Sequence, residues 1–277
     1  MTTRATALMS GTARTDGVLK QIATGGCSAW ALPPDEKSPG LARSIVRRAL
    51  ADLGFPDDYI ADVVLCVSEL TTNAIVHARG HGAPEAAATA PELWLYRRGH
   101  DGDPQLVVAV FDSLRRLRAR QPALPRDLLA EGGRGLDIVG IVAAGQSGWH
   151  LTRSRLGGWQ VPGKACWFAL PIPESFPPVL PPRLRLTEAQ AAGALASLLV
   201  ERGLTQMIHQ DAERQSVLSV RHGLTVWCRA GAFWWTSAGV RRRRPFSDII
   251  EVGERVVQLH EELVGAAAGA EPRTTAM

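Results

Sequence analysis

Between Pro171 and Pro182 the segment PIPESFPPVLPP carries six of the chain's 18 prolines. Proline fixes φ and deletes a backbone donor, so such a stretch can be neither helix interior nor central strand. It divides the 277 residues into two units, each long enough to bury a core. The segment reads as a semi-rigid linker at 173–183, between a larger unit at 29–172 and a smaller one at 184–264. The small, polar ends at 1–28 and 265–277 are expected to be disordered tails.

Composition narrows the class. A hydrophobic fraction of 45% and a charged fraction of 21% are those of an ordinary globular protein. They exclude a mostly disordered chain, a collagen-like chain and a small disulfide scaffold. No uninterrupted apolar run of about 18 residues occurs, so no membrane partner is expected. The N-terminal residues lack the apolar core of a secretory signal. Cys27, Cys66, Cys166 and Cys228 are far apart and form no CxxC pair, which reads as free thiols in a cytoplasmic protein. Only Lys20, Lys37 and Lys164 are lysines among 31 basic residues. That arginine bias, shared with alanine-rich chains from GC-rich bacterial genomes, makes the net charge of +4 weak evidence for a polyanion partner.

Apolar spacing predicts helices over 38–53, 57–78 and 136–144, the second beginning just after Pro56. Strands are predicted at 93–97, 106–111, 149–153 and 165–170, the second a continuous apolar run. The order argues an α/β two-layer sandwich with a mixed sheet and helices on one face.

Three pieces of this unit carry chemistry. In SELTTNAIVHA, Glu69 and Asn73 are four apart and share one helical face. A carboxamide offers a hard oxygen to Mg²⁺, and a carboxylate can accept a proton; the same spacing also occurs on plain solvated faces. Asp112 ends the buried run LVVAVF, where a carboxylate can take a hydrogen bond from a ligand amine or simply end the strand. In EGGRGLDIVG, glycines permit close backbone approach ahead of a helix whose N-terminal amides attract phosphate, although a plain loop has the same look. The spacing matches neither the Walker A loop nor G-x-G-x-x-G after a strand.

Taken in order, the three pieces resemble the GHKL (Bergerat-fold) ATPase superfamily. SELTTNAIVHA is similar to its N box, VAVFD to the start of its G1 box and GGRGLDIV to its G2 box. GKACWFAL is similar to the closing strand of the anti-sigma-factor serine kinase branch. The resemblance implies a Bergerat ATP-binding fold with ATP and Mg²⁺ as cofactors. It implies that Glu69 is the catalytic base, that Asn73 is the Mg²⁺ ligand and that Asp112 accepts the adenine amino group. Gly133, Arg134 and Gly135 would line the triphosphate, with Leu136 and Lys164 also in the nucleotide site and 113–131 forming a short lid. It further implies a Ser/Thr protein kinase controlling a regulatory partner such as a sigma factor or an anti-anti-sigma factor. Two departures from the pattern stand out. Asp112 is followed by SLRRLR rather than by the G1 glycines, and Lys164 is followed by Ala165, where the branch often has a threonine hydroxyl near the adenine-binding Asp.

His77 and His81 have helical metal-pair spacing, but no third ligand lies near them. In the second unit, TEAQ reads as a capping box with Thr187 as cap and Gln190 at N3. Strands are predicted at 216–220, 224–229 and 233–236 and a helix at 247–263, giving a small α+β domain of no recognised family. FWWTSAGVRRRRP is either an aromatic and basic nucleic-acid patch or a core strand followed by a solvated basic loop, the second being preferred, and a protein-docking surface is equally compatible. Two further readings stay open, a nucleotide-gated interaction module without catalysis and a nucleic-acid binder; a homodimer is also left open.

Overall fold

The computed structural model describes residues 22, 25–79, 90–100, 103–115, 135–157, 160–173 and 186–270. The proline-rich linker, the body of the expected lid, Gly133, Arg134 and His81 lie outside the described residues, as does the side chain of His77.

The first unit runs β1 (Cys27–Ala31), α1 (Ser38–Asp52), α2 (Asp57–Arg79), β2 (Glu92–His100), β3 (Asp103–Asp112), α3 (Gly135–Val142), β4 (Ser147–Arg153) and β5 (Pro162–Pro171). Its five strands form one sheet of order β1-β2-β3-β5-β4. Every described pairing in that sheet is antiparallel, which corrects the expected mixed sheet. β1 was not anticipated, and it begins inside the segment expected to be a tail.

Side chains alternate across β3 as the pleat requires. Leu106, Val108 and Val110 join Val46, Leu50, Val63, Val67 and Leu70 of α1 and α2 in one core. The window Asp57–Val76 of α2 is long and apolar enough to cross a bilayer, but half of it is buried inside the fold, as befits a core helix. Val107, Ala109 and Phe111 point to the opposite face, with Trp94, Tyr96, Ala165 and Ala169.

That opposite face is covered, which corrects the expectation of helices on one face only. The second unit comprises α4 (Glu188–Glu201), β6 (Ile208–Ala212), β7 (Gln215–Arg221), β8 (Leu224–Arg229), β9 (Ala232–Ser237), β10 (Val240–Pro245), a 3-10 turn (Phe246–Asp248) and α5 (Ile249–Ala270). Its strands form an antiparallel meander of order β10-β9-β8-β7-β6. Thr187 caps α4 in the predicted reciprocal box, its Oγ1 accepting from Gln190 N at 3.2 Å while Gln190 Oε1 accepts from Thr187 N at 3.0 Å. β6 and β10 were not anticipated, and α5 runs to Ala270, beyond the expected start of the C-terminal tail.

α5 serves both sheets. Val252, Val256 and Val257 enter the second core with Leu195, Leu199, Val226 and Phe233. Gly253 lets α4 come close, because a Cβ there would overlap Leu198 Cδ2. The other side of α5 presents Ile250, Glu251, Glu254 and Glu261 to the first sheet. Glu254 is ion-paired with Arg202 and Arg155 and accepts from Thr152 Oγ1 at 3.0 Å, with His150 Nε2 at 3.4 Å. Glu251 takes the Tyr96 hydroxyl at 3.0 Å and lies 3.6 Å from the Arg98 guanidinium. Glu261 binds Arg153 at 2.6 Å and Arg115.

These carboxylates are almost fully buried, so burial alone would raise their pKa. The guanidiniums of Arg202 and Arg155, with hydrogen bonds from His150 and Arg202, instead hold Glu254 well below the usual range. Glu251 and Glu261 are depressed in the same way by their own arginines. A depressed pKa stabilises the fold fully above the ordinary glutamate value of 4.5, and that stabilisation is lost as pH falls through the folded value. Glu92 and Asp248, raised chiefly by burial, act with the opposite sign. Glu254→Ala strands two buried guanidiniums and is expected to cost about 3–5 kcal/mol in urea unfolding. Glu254→Gln should flatten the loss of thermal stability of the wild type below pH 4.5.

Candidate functional site

The helix-covered side of the first sheet holds the described residues of the predicted site. Glu69 and Asn73 stand one turn apart on α2, both half-buried. No hydrogen bond to a described residue engages either side chain. Thr71, between them, is buried and donates to Val67 O at 2.7 Å, so this turn of α2 is fixed from within. Gly135, the first residue of α3, lies directly against Glu69: a Cβ there would overlap Glu69 Oε2. The glycine lets the start of α3 approach the Glu69 carboxylate, a contact within the chain that the sequence reading, which expected close approach to a ligand, did not foresee. Leu136 is about half exposed on the first turn of α3, beside this junction.

Asp112 lies at the end of β3, 5% exposed, and the pleat points it to the same side as Leu106, Val108 and Val110. It does not stand alone. Asp112 pairs in register with Lys164 of β5, and Lys164 Nζ donates to Asp112 Oδ1 at 2.7 Å and to Leu114 O at 2.9 Å. Leu114 N donates to the same Oδ1 at 2.9 Å. Lys164 therefore reaches the site as the ion-pair partner of the carboxylate and as a brace on the chain that leaves β3. The turn that glycines usually make after this Asp is here closed by a carboxylate and an ammonium.

Position 165 bears differently on the site than the sequence suggests. Ala165 pairs with Phe111 and packs with Trp94 on the face covered by α5. A hydroxyl at that position would lie on the far side of the sheet from Asp112, so its absence leaves the site unchanged. Gly163, by contrast, is required: a Cβ there would overlap Asp112 O and the Phe111 ring.

Sequence reasoning missed two neighbours. Cys166 lies two residues beyond Lys164 on the same face, and burial, with the Asp112 charge, pushes its thiol up to about 11. Arg115, just past Leu114, is held by Glu261 of α5, which ties the root of the expected lid segment to the second unit. Only strand alternation could have placed Cys166, and no sequence signal pairs Arg115 with a residue 146 positions away. Among the described residues no cluster of His, Cys, Asp and Glu is suited to hold a metal on its own.

The first unit is thus an antiparallel sheet backed by two long helices, with a carboxylate and a carboxamide on one helix and a buried aspartate at a strand end. Residues 32–142 match the family of the histidine kinase-like ATPase domain, so the first unit carries a GHKL-like ATPase domain. No curated protein matches the chain. The chemistry of the described donors fits a nucleotide with its metal: Asn73 offers a carboxamide oxygen and Asp112 a buried carboxylate, while Gly135 brings the first turn of α3 against Glu69.

The two glycines should behave differently on substitution. Gly163→Ala meets backbone and a buried ring, and is expected to cost about 3 kcal/mol of stability. Gly135→Ala meets only the end of a flexible side chain, so it should keep the melting temperature near wild type while displacing the Glu69 carboxylate. Thermal unfolding of both variants checks the contrast.

Proposed function

We propose that the chain is a cytoplasmic ATP-dependent regulator of the anti-sigma serine kinase type, acting on a partner protein such as a sigma factor or an anti-anti-sigma factor. What carries the reading is the approach of Glu69 to the start of α3, on the side of the sheet where Asn73 and Asp112 also lie. Bound Mg²⁺ would offset charge on the transferring phosphoryl group. Asn73 would hold that metal, and Asp112 would accept the adenine amino group while Lys164 orients the carboxylate. Glu69, one turn from Asn73, would take the proton from a serine or threonine hydroxyl of the partner.

A second reading is favoured by the Asp112–Lys164 pair. Where the ammonium already satisfies Asp112 Oδ1, an adenine must share the carboxylate, and nucleotide then acts chiefly to order the segment that follows Leu114. In that case the domain is a nucleotide-gated interaction module without phosphoryl transfer.

One variant tests what the two readings share and a second separates them. Asn73→Ala is expected to abolish Mg²⁺-dependent ATP binding in either. Glu69→Gln keeps shape and hydrogen bonding but removes the base. It should retain ATP affinity and lose phosphorylation of co-purifying partner by a factor on the order of 10² or more. Transfer that is equal in wild type and Glu69→Gln removes Glu69 from the mechanism. An absence of transfer by ATP-binding wild type selects the gated module.

A further inference from the structure

β10 is an outermost strand of the second sheet, and no described strand pairs with its outer side. It is entered through Ala238 and Gly239, whose φ values of 49° and 75° are those of a two-residue I′ turn. In such a hairpin the flanking residues, Ser237 and Val240, exchange both backbone hydrogen bonds, and the bonded pairs then alternate. Arg242 and Arg244, opposite Trp235 and Phe233, therefore spend their backbone groups on β9. Arg241 and Arg243 turn their N–H and C=O groups to the free edge.

The same two residues present their side chains on the face away from α4 and α5. There the guanidiniums of Arg241 and Arg243 lie 5.0 and 5.5 Å from the Trp234 ring centre, and Arg229 of β8 lies 5.2 Å from it. Trp227 is the cross-strand neighbour of Trp234, and both are half-buried. Arg244 is ion-paired with Asp248, whereas none of Arg229, Arg241 and Arg243 is paired with a described carboxylate. Charged residues on an edge strand guard against self-association, but that purpose is met by charges spread into solvent. Here three cations are gathered about one ring with no counter-charge among the described residues.

We propose that the free edge of β10 is the docking site for an extended acidic segment of a partner protein, added as a further strand with carboxylates at alternate positions opposite Arg241 and Arg243. Main-chain bonds to an edge strand supply affinity and alternate side chains supply specificity, which is the usual division in strand addition. Residues opposite Arg241 and Arg243 are two apart on the incoming chain, so the pattern recognised is acidic-x-acidic. A second copy of this chain is disfavoured, since its β10 would set arginine against arginine. Single-stranded nucleic acid is disfavoured because the aromatic surface of Trp234 that would stack a base is already flanked by guanidiniums. The proposal does not depend on the nucleotide site.

The test is fluorescence anisotropy with the full chain and a labelled peptide of alternating glutamate and valine. Saturable binding that weakens with salt is expected. Arg241→Glu/Arg243→Glu should weaken it by at least about tenfold and admit the matching lysine–valine peptide. The milder Arg241→Gln/Arg243→Gln should weaken the glutamate peptide alone, and an unchanged melting temperature of either variant assigns the effect to the edge. N-methylation of the peptide's glutamates keeps the charge but removes the amides that face β10, so it should abolish binding. Equal binding of the N-methylated peptide, an absence of binding by the unmodified one, or tighter binding of oligo-dT lost in the same variants would each overturn the proposal.

Discussion

The carboxylate of Glu254 organises the meeting of the two sheets. It is buried, yet held ionised by Arg202 from the end of α4, by Arg155 beyond β4 and by contacts to His150 and Thr152. Its arginines also stack on Trp94, the largest fully buried side chain of the first sheet's second face, at 5.0 and 5.1 Å. A buried ion pair adds little net stability against an apolar substitute, but it is costly to break and demanding in geometry. It therefore fixes register: α5 can lie on the first sheet only where Glu251, Glu254 and Glu261 each meet their arginines. The second unit is seated as a layer of the fold by charge that has nowhere else to go.

That seating leaves the opposite side of the sheet to α1 and α2 and to the candidate site, with one thread between the two. Glu261 on α5 holds Arg115, while Lys164 and Asp112 hold Leu114, one residue earlier. The chain leaving β3 is thus braced from both sides as far as Arg115. In place of the flexibility that G1 glycines confer, this domain has a rooted turn, and the second unit supplies part of the root.

Much of the ATPase half was legible because its signals are local. The apolar stripe of α2, the continuous run of β3 and the glycine before α3 each dictate structure within a few residues. Periodicity put Glu69 and Asn73 on one helical face, and only the family resemblance joined Asp112 to them. What was not legible is long-range. The pairing of Lys164 with Asp112 depends on strand register, the wrong side of Ala165 depends on the pleat, and Glu254 looks like any surface glutamate of an amphipathic helix. A proline-rich boundary suggested two units joined by a semi-rigid linker, and nothing in a sequence marks which arginines will be buried under a helix from the other unit. β10 was hidden for a related reason: four consecutive arginines read as a loop, and only pairing with the tryptophan strand makes them an edge.

The proposed ATP site lies on the face covered by α1 and α2, with Asp112 as the acceptor for the adenine amino group. Isothermal titration of the full chain with ATP in the presence and absence of Mg²⁺ tests it most directly, alongside Asp112→Asn verified as folded by circular dichroism. Metal-dependent binding of one ATP per chain is expected of wild type, and a loss of at least about tenfold in affinity of Asp112→Asn, where one charged acceptor of a buried hydrogen bond is removed. Equal ATP affinity in the two proteins, or no heat of binding from the folded wild type, would contradict it.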